Sequence, residues 1–102
     1  MAEVRDNTEE SQFEILVDDV VAGYAVYRRR PGRIFFVHTV VDPAFEGQGL
    51  GSQLVVAALD AVRAECLKVV PLCPFFAAYI DGHPQYQDLV DDRMMDLLTK
   101  PA

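Results

Sequence analysis

The sequence has no tryptophan, and it has few of the residues that bind soft metals or form disulfides: two cysteines and two histidines in 102 residues. Cys66 and Cys73 are too few for a disulfide framework, and their spacing matches no metal motif. No apolar run is long enough to span a membrane, and the acidic, polar start does not resemble a signal peptide. We therefore expect a cytoplasmic protein without a bound metal or a membrane contact.

Basic residues are also scarce, because 9 Lys and Arg stand against 16 Asp and Glu, for a formal net charge of −7. Nucleic-acid binders usually carry a basic face, so this balance argues against that class. It suits a cationic partner such as an amine, or an anion held locally by backbone donors. A hydrophobic fraction of 51% predicts one globular domain with a single core.

The first half of the chain reads as β structure. Residues 1–10 predict a disordered acidic tail before a domain over residues 11–90. Three strands then follow, to be paired as an antiparallel meander: one alternating apolar and polar residues from Phe13 to Val17, one over Val20 to Tyr27 and one over Arg33 to Val41. The arginine run Arg28 to Arg30 between the last two is open to two interpretations, an anion-binding patch or a solvated hairpin tip.

The second half predicts an α-β-α succession, which makes the fold class α/β (α+β) with a mixed sheet. An apolar stripe indicates a helix over Gly51 to Glu65. Cys66 lies at the end of this stripe and is expected to be a core residue. Lys68 to Leu72 is read as a strand parallel to the third, and Pro74 to about Gly82 as a second helix with proline in its first turn. Residues 86–90 are read as a further short strand, and residues 91–102 as a C-terminal extension that could hold a short amphipathic helix.

Glycines alternate in the loop between the third strand and the first helix, at Gly47, Gly49 and Gly51. Residues without side chains let backbone N–H groups converge, and the start of a helix adds unpaired donors and the positive end of its dipole. This combination is typical of an anion site, most often one for phosphate. The alternative is a flexible loop that binds nothing. Ligands of open α/β sheets gather where strands part, which here lies between this loop and Cys73.

Two motifs resemble one known family. Val41-x-Pro43 followed by Phe45-Glu46-Gly47-Gln48-Gly49-Leu50-Gly51 is similar to the acetyl-CoA loop of the GNAT N-acetyltransferases, which reads Gln/Arg-x-x-Gly-x-Gly/Ala. The departure is Glu46, where that family has Gln or Arg. The second motif resembles the compact branch of about a hundred residues, and its positions are His38-Thr39-x-Val41 and Val70-Pro71-Leu72-Cys73-Pro74-Phe75-x-x-x-Tyr79-Ile80-x-x-His83-Pro84-x-Tyr86.

The resemblance implies an antiparallel meander followed by α-β-α, in which a splayed parallel strand pair forms a crevice for coenzyme A. It implies acetyl transfer from acetyl-CoA to a primary amine, on a protein lysine, an N-terminus or a small molecule. The residues that it implies for acetyl-CoA binding are Thr39, Val40, Val41, Gly47, Gln48, Gly49, Leu50, Gly51 and Ser52. A backbone N–H of the strand would polarise the thioester carbonyl. The implied partners are acetyl-CoA and an amine acceptor, a cationic one being an option, and the implied assembly is a monomer or weak homodimer.

Three side chains are candidates for catalysis, each with a structural alternative. Cys73, at the expected N-cap of the second helix, is either a nucleophile or a packed thiol that shapes the crevice. Tyr79 is either the acid that protonates the departing thiolate or an aromatic core residue. His38 is either the base for the amine or a hydrogen-bonded strand residue. A different class of function also fits the motifs, namely a non-catalytic CoA or acyl-CoA-binding module with a regulatory or scaffolding role.

Overall fold

A computed structural model describes residues 2–93 of the chain, and every structural statement below concerns those residues. Five strands form one sheet in the order in which they occur in the sequence. They are β1 (Ala2–Asn7), β2 (Gln12–Val17), β3 (Val20–Arg30), β4 (Arg33–Val41) and β5 (Lys68–Pro71). The first four are antiparallel and β5 is parallel to β4. The predicted meander followed by a parallel strand is therefore confirmed.

Two helices complete the fold, α1 (Leu50–Ala64) and α2 (Pro74–Asp81), with 3-10 turns at Pro43–Phe45 and Pro84–Leu89. Both helices pack on one face of the sheet, because Leu54 and Leu59 of α1 and Phe76 of α2 join the same buried cluster as Phe36. Phe36 and Phe76 stack with ring centroids 4.1 Å apart, which fixes α2 against β4. The large fully buried side chains are Phe36, Phe76, Ile15, Ile34, Leu54, Leu59, Val55, Val62, Val69 and Val70.

The N-terminal segment differs from its prediction, since Ala2–Asn7 forms β1 and pairs with β2 along its whole length. The disordered tail expected over residues 1–10 is therefore wrong for these residues. The acidic character that suggested disorder has bonding partners in the fold. Asp6 accepts a hydrogen bond from the Tyr27 hydroxyl and pairs with Arg29 at 3.2 Å, while Arg5 pairs with Glu14 at 2.8 Å.

Three further expectations need correction. The arginines are not a hairpin tip, because β3 runs through Arg30 and the turn consists of Pro31 and Gly32, the latter at φ 77°. The strand expected over residues 86–90 is the 3-10 turn Pro84–Leu89, with only Val90 bridging to β5. Cys66 is exposed and lies beyond the end of α1 with φ 59°, so it is not a core residue. The helix considered within residues 91–102 lies almost entirely outside the described residues.

Candidate functional site

The parallel strands β4 and β5 part after four paired positions. Their register runs from Arg33 opposite Lys68 to Phe36 opposite Pro71. The Cys73 N–H then donates to the Phe36 carbonyl at 2.8 Å and closes the pairing. The last five residues of β4, Val37 to Val41, continue with β3 on one side, and none of the described strands pairs with their other side. The sheet therefore opens at this point, with the start of α2 on one side of the gap.

The backbone of β4 alternates between β3 and this gap. Asp42 N–H donates to the Ala22 carbonyl at 2.7 Å, and successive residues of a strand direct their N–H and C=O groups to opposite sides. Val40 therefore bonds toward β3 and the backbone groups of Thr39 and Val41 face the gap. Of the three strand residues implied for cofactor binding, the geometry offers the main chain of Thr39 and Val41, while that of Val40 serves the sheet.

The glycine loop lies between the 3-10 turn Pro43–Phe45 and α1. Gly47 and Gly49 have φ of 84° and 71°, and a Cβ at either would meet open space. Gly49 is the N-cap of α1, and no side chain caps that end. The first N–H groups of a helix have no partner within it, so those of Leu50, Gly51 and Ser52 lack intrahelical acceptors. A cluster of unpaired backbone donors next to glycines suits a phosphate group.

Gly51 has a packing role that the sequence did not indicate. Its φ is not in the left-handed region, and a Cβ there would come within 2.8 Å of the Phe75 ring. Phe75 belongs to the first turn of α2, so this contact brings the uncapped start of α1 next to the start of α2. The small residue at the second position of α1 was the available signal. It was interpreted as part of the phosphate loop alone.

Cys73 is the N-cap of α2, as predicted, and it is 4% exposed. Its thiol does not cap the helix; it donates to the Thr39 hydroxyl at 3.3 Å, across the gap between the two strands. Cys73 and Thr39 are therefore brought together at the point where the strands part. Thr39 is half-buried beside the thiol.

His38 and Tyr79 lie apart from this pair. His38 is exposed, and as the neighbour of Thr39 in a strand it projects to the opposite face of the sheet. Tyr79 lies six residues after Cys73, which is about 9 Å along α2. Its ring stacks on His83 at 3.8 Å between centroids, and the His83 Nδ1–H donates to the Tyr79 carbonyl at 2.7 Å. The Tyr79 hydroxyl has no hydrogen-bond partner among the described residues, so it is free to serve a ligand.

The charged side chain of the glycine loop is that of Glu46. Glu46 is exposed where it follows the 3-10 turn.

Residues 2–93 contain no group of three or more His, Cys, Asp and Glu side chains placed to hold a metal ion. Within the same range, no helix combines the length and the apolar character needed to cross a membrane.

Tyr86 links the 3-10 turn Pro84–Leu89 to α1, because its hydroxyl donates to Asp60 at 3.0 Å. Burial, and then the hydrogen bond and charge of Asp60, raise the pKa of Tyr86 above its ordinary value. The hydroxyl therefore stays protonated at neutral pH and serves as a structural contact. This distinguishes it from the neighbouring Tyr79, whose hydroxyl is unbonded.

Comparisons with known proteins address the fold and the family. A family model described as GCN5-related N-acetyl-transferase matches residues 12–89. A solution NMR structure from Staphylococcus aureus, described as GCN5-like, is 27% identical, covers 86% of each chain and superposes with a TM-score of 0.67. A crystal structure from Desulfovibrio desulfuricans, assigned to the GNAT family, is 22% identical and supports the fold alone. The match covers 72% of this chain and 52% of the Desulfovibrio desulfuricans chain, with a TM-score of 0.53. Among curated proteins no relative matches.

Proposed function

Because the chain belongs to the GCN5-related N-acetyltransferase family, we propose that it transfers the acetyl group of acetyl-CoA to a primary amine. The family membership confirms the resemblance drawn from the Gly47–Gly51 loop. The observation that carries the proposal is the shared location of two features: the uncapped start of α1 and the gap between β4 and β5. The Phe75–Gly51 contact holds these two features side by side.

The diphosphate of the donor would be held at the start of α1. Backbone N–H groups of Leu50, Gly51 and Ser52 would bind its oxygens, and the left-handed Gly49 leaves the approach clear. Gln48 is exposed in the same loop and can donate from its amide. Glu46, also exposed, can turn its carboxylate to solvent and away from the negative charge of the diphosphate.

The reacting end would lie in the gap beside β4. Acetyl-CoA supplies the acetyl group as a thioester. In the transfer, a C–N bond forms to the amine, the C–S bond breaks, the amine loses one proton and the thiolate gains one. The N–H of Thr39 or Val41 faces the gap and could donate to the oxygen that becomes negative. Such a donor is oriented by the β3–β4 pairing before the ligand arrives.

Proton transfer is assigned to two side chains. Tyr79 is the acid in this proposal, supported by its hydroxyl, which has no partner within residues 2–93 and lies on α2, the helix that begins at the gap. His38 is the base, supported by its exposure on the face opposite Thr39, from which an acceptor can approach. If His38 titrates as the base, His38→Gln removes the acidic limb of the pH–rate profile; an unchanged profile at full activity would exclude that role.

Cys73 is assigned to the shape of the gap in this proposal. The thiol is almost fully buried and contacts Thr39, an arrangement that suits packing rather than nucleophilic attack. The amine therefore attacks the thioester directly. A non-catalytic CoA-binding module remains the competing function. Measuring acetyl-CoA binding and amine-dependent release of free CoA on the same sample separates the two, because the module binds without release and the enzyme does both.

A further inference from the structure

The sheet carries a groove on the face opposite α1 and α2. It is lined by Arg28, Arg30, Phe35, Val37 and Leu72 and has a volume of about 170 Å³. Phe35 alternates in β4 with the core residues Ile34 and Phe36, which places it on this second face. Val37 and Leu72 are 36% and 44% exposed. The groove is therefore small, open to solvent and apolar along its floor, with two guanidinium groups beside it.

Arg28 and Arg30 differ from four other arginines of the chain, which form ion pairs. Arg5, Arg29, Arg33 and Arg63 each pair with a carboxylate at 3.2 Å or less. Arg28 and Arg30 donate only to main-chain carbonyls, those of Tyr27 and Arg29, and no carboxylate within residues 2–93 pairs with them. In a chain with net charge −7, two arginines left without an acid on one groove provide charge for an anionic ligand.

The groove is continuous with the gap between the strands. Leu72 directly precedes Cys73, and Val37 directly follows Phe36, the last residue of β4 that pairs with β5. The apolar floor thus ends where the reacting end of acetyl-CoA would lie. Arg28 is opposite Phe35 in the β3–β4 register, and Phe35 precedes Thr39 by four residues in β4. Four strand residues span roughly 13 Å, so the cations and the reaction point are separated by the length of an extended small molecule.

From this arrangement we propose that the groove is the acceptor subsite and that it selects a small primary amine whose apolar chain ends in a carboxylate. The inference rests on the proposed acetyl transfer. The carboxylate binds Arg28 and Arg30, the chain lies on Phe35, Val37 and Leu72, and the amine reaches the gap at Thr39. This acceptor differs from the cationic one that the overall acidity suggested, because local charge near a site outweighs a distant, screened net charge.

The test compares three amines of equal chain length: 6-aminohexanoate, hexylamine and 1,6-diaminohexane. Rates are measured as release of free CoA for the wild type and for Arg28→Gln/Arg30→Gln. Arg29→Gln is the control, because it removes one positive charge from the same strand on the other face. We expect kcat/KM for 6-aminohexanoate to exceed that for hexylamine about tenfold, the factor for one exposed charge-assisted contact, with the diamine slowest.

The double variant should lose this preference, and Arg29→Gln should keep it. Equal rates for 6-aminohexanoate and hexylamine in the wild type, or a preference that survives in the double variant, would overturn the subsite. Binding of 6-aminohexanoate is measured separately by saturation-transfer NMR. Arginine-dependent binding without turnover of any amine would refute acetyl transfer but keep the groove as a carboxylate site. Turnover without arginine-dependent binding would refute the groove as a carboxylate site but keep acetyl transfer.

Discussion

The Cys73 thiol donates a hydrogen bond to the Thr39 hydroxyl at 3.3 Å, across the gap between β4 and β5. This contact joins the N-cap of α2 to the part of β4 that is not paired with β5, so both residues border the gap. Cys73 is almost fully buried, whereas Cys66 beyond α1 is exposed. Reagents in solvent therefore have direct access to Cys66 but not to Cys73.

The first prediction concerns these two thiols. A small alkylating reagent should modify Cys66 first, because access precedes acidity in deciding the rate for a buried thiol. In a Cys66→Ser background, Cys73 should react slowly, and bound CoA should slow it further. Peptide mass spectrometry over time gives both rates. Faster modification of Cys73 than of Cys66, or no protection by CoA, would place Cys73 outside the gap described here.

The same background tests the chemical role of Cys73. We expect no acetyl group on Cys73 after incubation with acetyl-CoA alone, and we expect Cys73→Ala to retain turnover, since the buried thiol serves as a packing contact. An acetyl adduct that is discharged on addition of an amine would instead assign the nucleophilic mechanism to this residue.

A second prediction separates the roles of two glycines. Gly49→Ala should cost about 1–2 kcal/mol of unfolding free energy, because an L-residue must adopt the left-handed conformation without any new contact. Gly51→Ala should cost about 1 kcal/mol or less, since its Cβ displaces the exposed end of the Phe75 ring. Adding Phe75→Ala should remove the effect of Gly51→Ala and leave that of Gly49→Ala. Urea unfolding of the three single variants and the two double variants measures this, and additivity of Gly51→Ala with Phe75→Ala would refute the contact.

A third prediction concerns Glu14, a buried carboxylate on β2. Burial would raise the pKa of Glu14, but hydrogen bonds from Gln12, Arg5 and Asn7 outweigh burial and hold the pKa below its ordinary value. A group with a lowered folded pKa stabilises the fold above its unfolded pKa and loses that contribution as the pH falls through the folded value. Stability should therefore decline below about pH 4.

The variant for this test is Glu14→Gln, with the exposed Glu3→Gln of β1 as its control. Glu14→Gln should lower the unfolding free energy by about 1.5–3 kcal/mol at neutral pH, the range for hydrogen bonds to a charged group, and flatten the acid side of the profile. Thermal unfolding from pH 3 to pH 7 gives both readings. Equal profiles for the two variants would show that the three donors do not stabilise the Glu14 carboxylate.

The β1 strand shows how far the sequence could predict this fold. The meander, α1, β5 and the start of α2 followed from local alternation, helical spacing and one proline. β1 was missed because its stability comes from residues distant in sequence, Glu14, Tyr27 and Arg29, which bind its charged side chains. The separation of His38 from Cys73 could not be predicted either. It depends on the face of the sheet on which His38 lies, and the register shift between Val26 and Tyr27 affects that face. The glycine loop could be predicted because its donors are backbone groups within one short segment.

A fourth prediction compares two neighbouring tyrosines. Tyr79→Phe should lower turnover at least tenfold and leave acetyl-CoA binding nearly unchanged, because only the unbonded hydroxyl that would protonate the thiolate is lost. Tyr86→Phe removes a hydroxyl that binds Asp60 and should cost about 1 kcal/mol of stability at unchanged turnover. Steady-state kinetics and unfolding of both variants test this, and full activity of Tyr79→Phe would assign Tyr79 to packing.

The central claim, acetyl transfer to an amine by a donor held at the start of α1, is tested most directly by following an isotope-labelled acetyl group. Wild-type protein and Gly49→Asp, which adds a side chain and a negative charge at the proposed diphosphate contact, are incubated with labelled acetyl-CoA and a panel of primary amines. Mass spectrometry then measures the acetylated amine, with circular dichroism to verify that the variant is folded. The account predicts labelled amide from the wild type and little from folded Gly49→Asp. Acetyl-CoA that binds the wild type without giving labelled amide for any amine would contradict it.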